Sequence, residues 1–457
     1  MKKLLLGVCI SFTVFSSVIA QNFPVGHRTI TYNDPARTGG FGSGGGAGRQ
    51  IQCEVYYPAV SAGESTNFAS TTSPIIAFGH GFLMSWDAYQ NIVDALVPKG
   101  YVLIFPRTEG GASPAHTDFG KDLVIAANRL EDDAINNVSS FFYNKFNGKK
   151  AVMGHSMGGG SSFLAAAEST ATFDIVVGLA PAETNPSAAT AAVNVSIPAL
   201  ILSGDEDAVT PPADHHLLIY NGLGSNCKTF VSILGGGHCY FANSNINCDL
   251  GETISGTPTI DRPTQQDILF DVVQPFLKFH LMEDCPSWTD FLTELMNDTR
   301  IDPTNDCSYT LPVAPVITQN GSTLTSNISG NLQWFLNGNL LSGETGTTLN
   351  SATYGNGSYT VSLTDAMGCD ALSTPIVVGT SSLNEIEQKI AVQPNPFTNQ
   401  IVVDVEVKQT VRLLSATNQL LGAYDLEGET IIETAHLASG VYYLFTENGS
   451  ITRLVKL

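Results

Sequence analysis

The chain has 457 residues, with 21 Lys and Arg against 42 Asp and Glu, a formal net charge of −21. That shortage of basic side chains excludes a nucleic-acid binder and argues against docking on anionic lipid, since both need cationic surface. Charged residues reach only 14%, well below the roughly 25% of ordinary soluble domains. A hydrophobic share of 43% excludes global disorder, and the length calls for more than one domain.

Met1-Lys2-Lys3 precede an uncharged, largely apolar stretch that ends at small Ala20. This is the layout of a removed secretory signal over residues 1–20. The stretch is short for a membrane span and is interrupted by Ser11, Ser16 and Ser17; no later segment reaches the ~20 apolar residues a span requires. Loss of Cys9 with the signal leaves Cys53, Cys227, Cys239, Cys248, Cys285, Cys307 and Cys369. The set is odd, so at least one is unpaired or pairs between chains. Export permits disulfides, and sequence proximity suggests Cys239 with Cys248 and Cys285 with Cys307. No Cys-x-x-Cys or His-x-x-x-His spacing occurs, so neither a metal nor a cofactor is expected.

Next comes a Gly-rich segment, residues 39–48. It precedes a strand (51–57) and no helix follows, so it reads as a surface loop and not a phosphate cradle. Apolar runs at 75–78, 102–105, 151–153, 175–177, 200–202 and 230–234 read as buried strands. Between them lie helical patterns at 87–97, 118–144 and 156–168. The alternation predicts an α/β fold with a doubly wound sheet over residues 21–310. Asn137-Val138-Ser139 matches a glycosylation pattern but falls in the expected helix and is given no weight.

Beyond residue 310 the helical signal stops. Tyr359, Val361 and Leu363 alternate with Ser and Thr, and Trp334 and an Asn337-Gly338 turn fit a small immunoglobulin-like sandwich over 311–380. A second β unit over 381–457 opens after Ser381-Ser382. In it Val403, Val405 and Val407 alternate with Asp404, Glu406 and Lys408, and Asn448-Gly449 reads as a hairpin turn.

The chemistry centres on Gly154-His155-Ser156-Met157-Gly158, a Gly-x-Ser-x-Gly match between a strand and a Gly/Ala-rich helix. Glycines permit the sharp turn that exposes a nucleophilic hydroxyl. A serine needs a base, and the base an orienting carboxylate, in the chain order Ser, acid, His. Asp207 follows the strand at 200–202, in competition with Asp205 and Glu206. His238 follows the strand at 230–234. His215 and His216 read as helix surface or packing, and the His155 side chain as pointing away from the nucleophile. Backbone N–H donors for an oxyanion are expected from Met157 and, in the Gly79-His80-Gly81-Phe82 loop, from Phe82. Phe82 and Trp86 are candidates for substrate contact.

The elbow, the acid loop Asp205-Glu206-Asp207-Ala208-Val209-Thr210-Pro211 and Gly236-Gly237-His238 resemble the cutinase-like polyester hydrolases of the α/β-hydrolase superfamily, which include poly(ethylene terephthalate) hydrolases. The resemblance spans about residues 25–285, and the Gly79-Phe82 loop is similar to that of chlorophyllase-like relatives. It implies a serine esterase with Ser156, Asp207 and His238 as catalytic residues, acting on short-acyl or polymeric neutral esters. One departure is that Ala180-Pro181-Ala182-Glu183 lacks the aromatic residue that many polyester hydrolases carry there. In the tail, Pro394-Asn395-Pro396-Phe397, Ala438-Ser439-Gly440-Val441-Tyr442-Tyr443 and Lys456 resemble the C-terminal sorting domain of type IX secretion substrates. That implies the export machinery as a partner and a secreted or cell-surface protein; a monomer is expected. A glyceride lipase or chlorophyllase-like esterase is the alternative within enzymes, and a surface adhesin with an idle hydrolase domain the alternative outside them.

Overall fold

The computed structural model describes residues 22–168, 172–379, 390–415, 419–446 and 451–456. The expected signal over 1–20, Ser381-Ser382 and the Asn448-Gly449 turn lie outside the described residues.

Nine strands longer than two residues form the main sheet: β1 (Val25–Asp34), β2 (Arg49–Pro58), β3 (Ser73–Gly79), β4 (Val102–Pro106), β5 (Phe146–His155), β6 (Ile175–Leu179), β7 (Ala199–Gly204), β8 (Lys228–Ile233) and β9 (Ile301–Asn305). They lie in the order β9-β8-β7-β6-β5-β3-β4-β2-β1, and two two-residue strands bring the sheet to eleven. The centre, from β4 through β3 to β8, is parallel. Both edges are antiparallel, β9 on β8 and β2 on β4, so the sheet is mixed and not wholly parallel.

Successive side chains on a strand point to opposite faces, and both faces of the central strands are apolar. Ile76 and Phe78 of β3 pack with α1 (Gln90–Leu96) and the two late helices, whereas Ile75 and Ala77 pack with α2 (His116–Ile135) and α3 (Met157–Ala166). The continuous apolar runs therefore reflect a sheet covered on both sides. The remaining helices are α4 (Ala188–Ala192), α5 (His216–Gly222), α6 (Ile246–Ser255), α7 (Arg262–Met282) and α8 (Pro286–Asn297).

The helix expected over 118–144 stops at Ile135. Asn136 and Asn137 turn their side-chain amides back onto the carboxylates of Asp132 and Asp133, and Ser139 N–H donates to Asn137 Oδ1, a turn that competes with helix. Asn137-Val138-Ser139 is thus an exposed loop.

C-terminal to the main sheet the described residues form only β sheets, apart from one short turn. In one, Asn337 and Gly338 take φ of 51° and 77°, the hairpin turn expected, and Trp334 is fully buried. In the last sheet Val403 and Val405 face the core as expected, but Val407 is 53% exposed. A bulge between Val405 and Gln409 shifts the register, so Gln409 and Val411 turn inward in its place. Phe397 and Lys456 meet across this sheet, and Lys456 Nζ donates to the Thr434 carbonyl.

Cys239 pairs with Cys248. The expected Cys285–Cys307 pair does not form. Strand β9 runs back antiparallel along β8, which carries Cys307 to Cys227 at the start of β8, and the two are bonded. Cys285, at the start of α8, instead bonds Cys369 of the β module. Cys53, within β2, is free and buried. Non-reducing peptide mapping is expected to recover Cys227–Cys307 and Cys285–Cys369 as linked peptides, with Cys53 alkylated only after denaturation; a Cys285–Cys307 peptide would overturn this pairing.

Candidate active site

Ser156 sits between β5 and α3 with φ of 56° and ψ of −121°, a backbone conformation that a non-glycine residue adopts only under constraint. The constraint is steric. A Cβ at Gly154 would lie 2.3 Å from the Gly158 carbonyl oxygen, so strand end and helix start approach too closely for any side chain. Ser156 itself is 7% exposed.

Asp207 and His238 lie on the loops that follow β7 and β8. His238 Nδ1 donates to Asp207 Oδ2 over 2.7 Å. The other acidic candidates turn elsewhere: Asp205 accepts from Gly235 N–H at 2.6 Å, and Glu206 from Thr259 Oγ1 at 3.3 Å. Asp207 Oδ1 also accepts the Val209 and Thr210 N–H groups at 2.9 and 2.7 Å, and Oδ2 accepts the Thr210 hydroxyl at 2.9 Å. Burial opposes its charge, yet the facing His238 and these donors hold its carboxyl below the usual range.

No hydrogen bond joins Ser156 to His238 among the described residues. Their loops are nevertheless in contact, because the ring of His155 lies 4.8 Å from that of His238. Among the described residues Ser156 Oγ and His238 Nε2 have no partner, and neither is a sealed unpartnered atom, so both open to solvent. In the loop after β3, the Phe82 N–H has no protein acceptor among the described residues, and its ring is 46% exposed. The Met157 N–H opens α3 and has no acceptor within its own helix. Trp86 is less available: the Arg107 guanidinium covers one face of its ring at 4.2 Å. A cavity of about 840 Å³ is remote from these groups; Pro74, Tyr101 and Asn147, at the opposite ends of the strands, line it.

Two neighbours of the pair have contacts with it that the sequence did not show. His216, expected as helix packing, is fully buried, with Nε2 3.0 Å from Thr210 Oγ1 and Nδ1 2.7 Å from Ser203 Oγ. Because Thr210 gives its proton to Asp207, it can only accept from His216 Nε2–H. Burial pushes the His216 pKa down to about 3, which keeps the ring neutral. Glu252 of α6 is also buried; it accepts the His238 N–H at 3.0 Å and the Cys239 N–H, and burial raises its carboxyl. The bracketing Cys239 and Cys248 were the one sign that α6 would return to His238. His215 Nδ1 accepts the Glu183 N–H at 2.9 Å and so fixes the non-aromatic 180–183 segment.

A family model described as PET hydrolase-like matches residues 19–255, more than half of the chain. The chain belongs to this family, whose fold is that of the α/β-hydrolases. Among curated relatives, the bis(hydroxyethyl) terephthalate hydrolase of Streptomyces coelicolor is 30% identical over 215 residues, which are 46% of this chain and 59% of the relative. The cutinase est1 of Thermobifida alba is 25% identical over 228 residues, 50% of this chain and 68% of the relative. The chain thus spans less than two thirds of the first of these.

Four buried histidines (His80, His155, His216 and His280) have pKa values lowered by burial, to about 3 for His216 and His280. In the unfolded chain each returns to about 6.5. Below pH 6.5 the unfolded state therefore binds protons that the native state refuses, and stability falls with acid. Raised Glu252 acts in the opposite sense over its own range. The urea midpoint is expected to drop between pH 7 and pH 5, with about one proton taken up per buried imidazole, and His216→Gln should lessen that dependence. A midpoint flat over this range would refute it.

Proposed function

We propose that the chain is an exported serine hydrolase of carboxylic esters. The observation that carries the reading is the paired Asp207 and His238 on the strand ends next to the Ser156 elbow. Ser156 Oγ attacks the ester carbonyl while His238 Nε2 takes its proton. Asp207, bound to Nδ1–H, fixes the tautomer that leaves Nε2 free and stabilises the imidazolium. The Phe82 and Met157 amides receive the oxyanion. Collapse expels the alcohol with the proton from His238, and water then releases the acid from the acyl-enzyme by the same path.

Substrates are neutral short-acyl or polymeric esters, poly(ethylene terephthalate) included. Membership in the PET hydrolase-like family and the names of the two relatives support this class. Exposed Phe82, rather than the 180–183 segment, offers aromatic surface beside the elbow. The signal-like residues 1–20 and the three disulfides support export into an oxidising compartment. We read residues 311–380 as an immunoglobulin-like module and 381–457 as a type IX sorting unit.

One observation favours a second reading, a lipase. Helix α6 exposes Ile246, Leu250 and Ile254 at 83%, 59% and 76%. The helix is tied to both site loops, through Glu252 to His238 and through Asn247 Nδ2 to the Leu83 carbonyl. This stripe would suit an insoluble glyceride.

A p-nitrophenyl ester series, with tributyrin emulsion and polyester film alongside, tests both. Short acyl chains should be preferred, Ser156→Ala should abolish turnover, and Asp207→Asn should cut kcat by about 10³–10⁴-fold. Equal turnover by Ser156→Ala would overturn the mechanism. A rate that jumps only once tributyrin forms droplets would favour the lipase.

A further inference from the structure

His155, the residue before Ser156, is fully buried and takes no part in the chemistry just described. Its Nε2 lies 2.9 Å from the His238 carbonyl oxygen, and its Nδ1 lies 2.9 Å from the Tyr89 hydroxyl. The same Tyr89 hydroxyl accepts the Gly81 N–H at 2.8 Å. Three segments therefore meet at one imidazole: the elbow through the chain, the base loop through its backbone, and the oxyanion loop through Tyr89.

One arrangement of protons pairs both ring nitrogens, although the Tyr89 hydroxyl also lies 3.4 Å from Met84 Sδ. A carbonyl can only accept, so His155 Nε2 carries a hydrogen. Burial and the neighbouring His238 hold the ring neutral, so Nδ1 is a lone pair and the Tyr89 hydroxyl donates to it. The Tyr89 oxygen then accepts from Gly81. In this arrangement both ring nitrogens and the hydroxyl are satisfied. The packing agrees: a Cβ at Gly81 would sit 3.2 Å from Tyr89 Oη and 3.3 Å from His155 Nδ1, so the loop backbone rests directly on the pair.

We propose that Tyr89 and His155 are positioning residues that hold the oxyanion loop, the Ser156 elbow and the His238 base at one fixed spacing. The proposal rests on the ester-hydrolase reading. Gly81 N–H is the amide immediately before that of Phe82, so the hydroxyl of Tyr89 sets where the Phe82 donor points. An oxyanion donor must meet the position of the developing charge and not that of the ground-state carbonyl. A loop released by a fraction of an ångström would bind substrate as before and stabilise the tetrahedral state less. Neither side chain touches the substrate.

Tyr89→Phe tests this with little disturbance, because the ring keeps its place 4.8 Å from Phe78 and only the hydroxyl leaves. His155→Gln is the second variant; its amide still donates to the His238 carbonyl but does not reach Tyr89. With p-nitrophenyl butyrate, each is expected to lower kcat at least 10-fold while KM stays within twofold. Affinity for an alkyl boronic acid, which adds to Ser156 Oγ as a tetrahedral adduct, should fall by the same factor, and affinity for the product butyrate should not change. The double variant should be no slower than the slower single, because both cut one chain. Tyr89→Phe with wild-type kcat, a loss carried by KM, or losses that multiply in the double variant would overturn the proposal. A wild type that hydrolyses the ester beside an inactive Ser156→Ala would show that any such failure belongs to this proposal alone. A Ser156→Ala as active as wild type would remove the hydrolase reading and this proposal with it.

Discussion

A Cβ atom at Gly158 would lie 2.1 Å from the carbonyl oxygen of Gly79 and 2.6 Å from that of His80. The first turn of α3 and the loop after β3 therefore touch backbone to backbone. Gly160 repeats the condition on another side, where a Cβ would lie 2.0 Å from the Ala182 carbonyl oxygen. Glycines in a helix cost about 1 kcal/mol each relative to alanine. Here they let the helix start sink between two loops, with its unsatisfied amides next to the unsatisfied amide of Phe82. A larger residue at Gly158 would push the two sets of donors apart, and the positive φ of Ser156 would lose the surroundings that enforce it.

Around this contact the protein buries several polar side chains and pairs most of them. Asp207 has donors on both oxygens, and behind it Thr210 and His216 form a second layer that contributes hydrogen bonds without charge. On the far side of His238, Glu252 takes the backbone amides of residues 238 and 239. The two carboxylates differ in their company. Asp207 faces an imidazole and is held ionised, whereas burial raises the Glu252 carboxyl against the two amides that bind it. The base is thus gripped by its ring on one side and by its main chain on the other.

Much of this was legible in the sequence, and the reasons for the rest are specific. The central strands announce themselves because a sheet covered on both faces writes apolar runs, and the elbow because glycines flank its serine. Residue spacing could not choose among Asp205, Glu206 and Asp207; only the path of the loop toward β8 separates them. Proximity in the chain mispaired Cys285 with Cys307, because the antiparallel return of β9 is a fact of topology and not of spacing. Val407 fits the alternation perfectly and is turned out by a bulge that composition does not encode. The partners of His155 and His216, and the place of Glu252, were not legible for a common reason. A buried polar side chain is defined by partners distant in sequence (Tyr89, Thr210 and the His238 main chain), and no local pattern marks it.

The pairing of Cys227 with Cys307 and of Cys285 with Cys369 also settles how a mechanical load would travel. Tension applied to the C-terminal sheets passes from Cys369 to Cys285 at the start of α8, or along the chain to Cys307 and across to Cys227. Cys227 precedes the first residue of β8, whereas His238 follows its last strand residue. A pull from the tail is therefore delivered to the end of the strand opposite the one that carries the imidazole. The covalent route bypasses the loops bearing Asp207 and His238, so the protein can be held by its tail while the geometry at Ser156 stays unloaded.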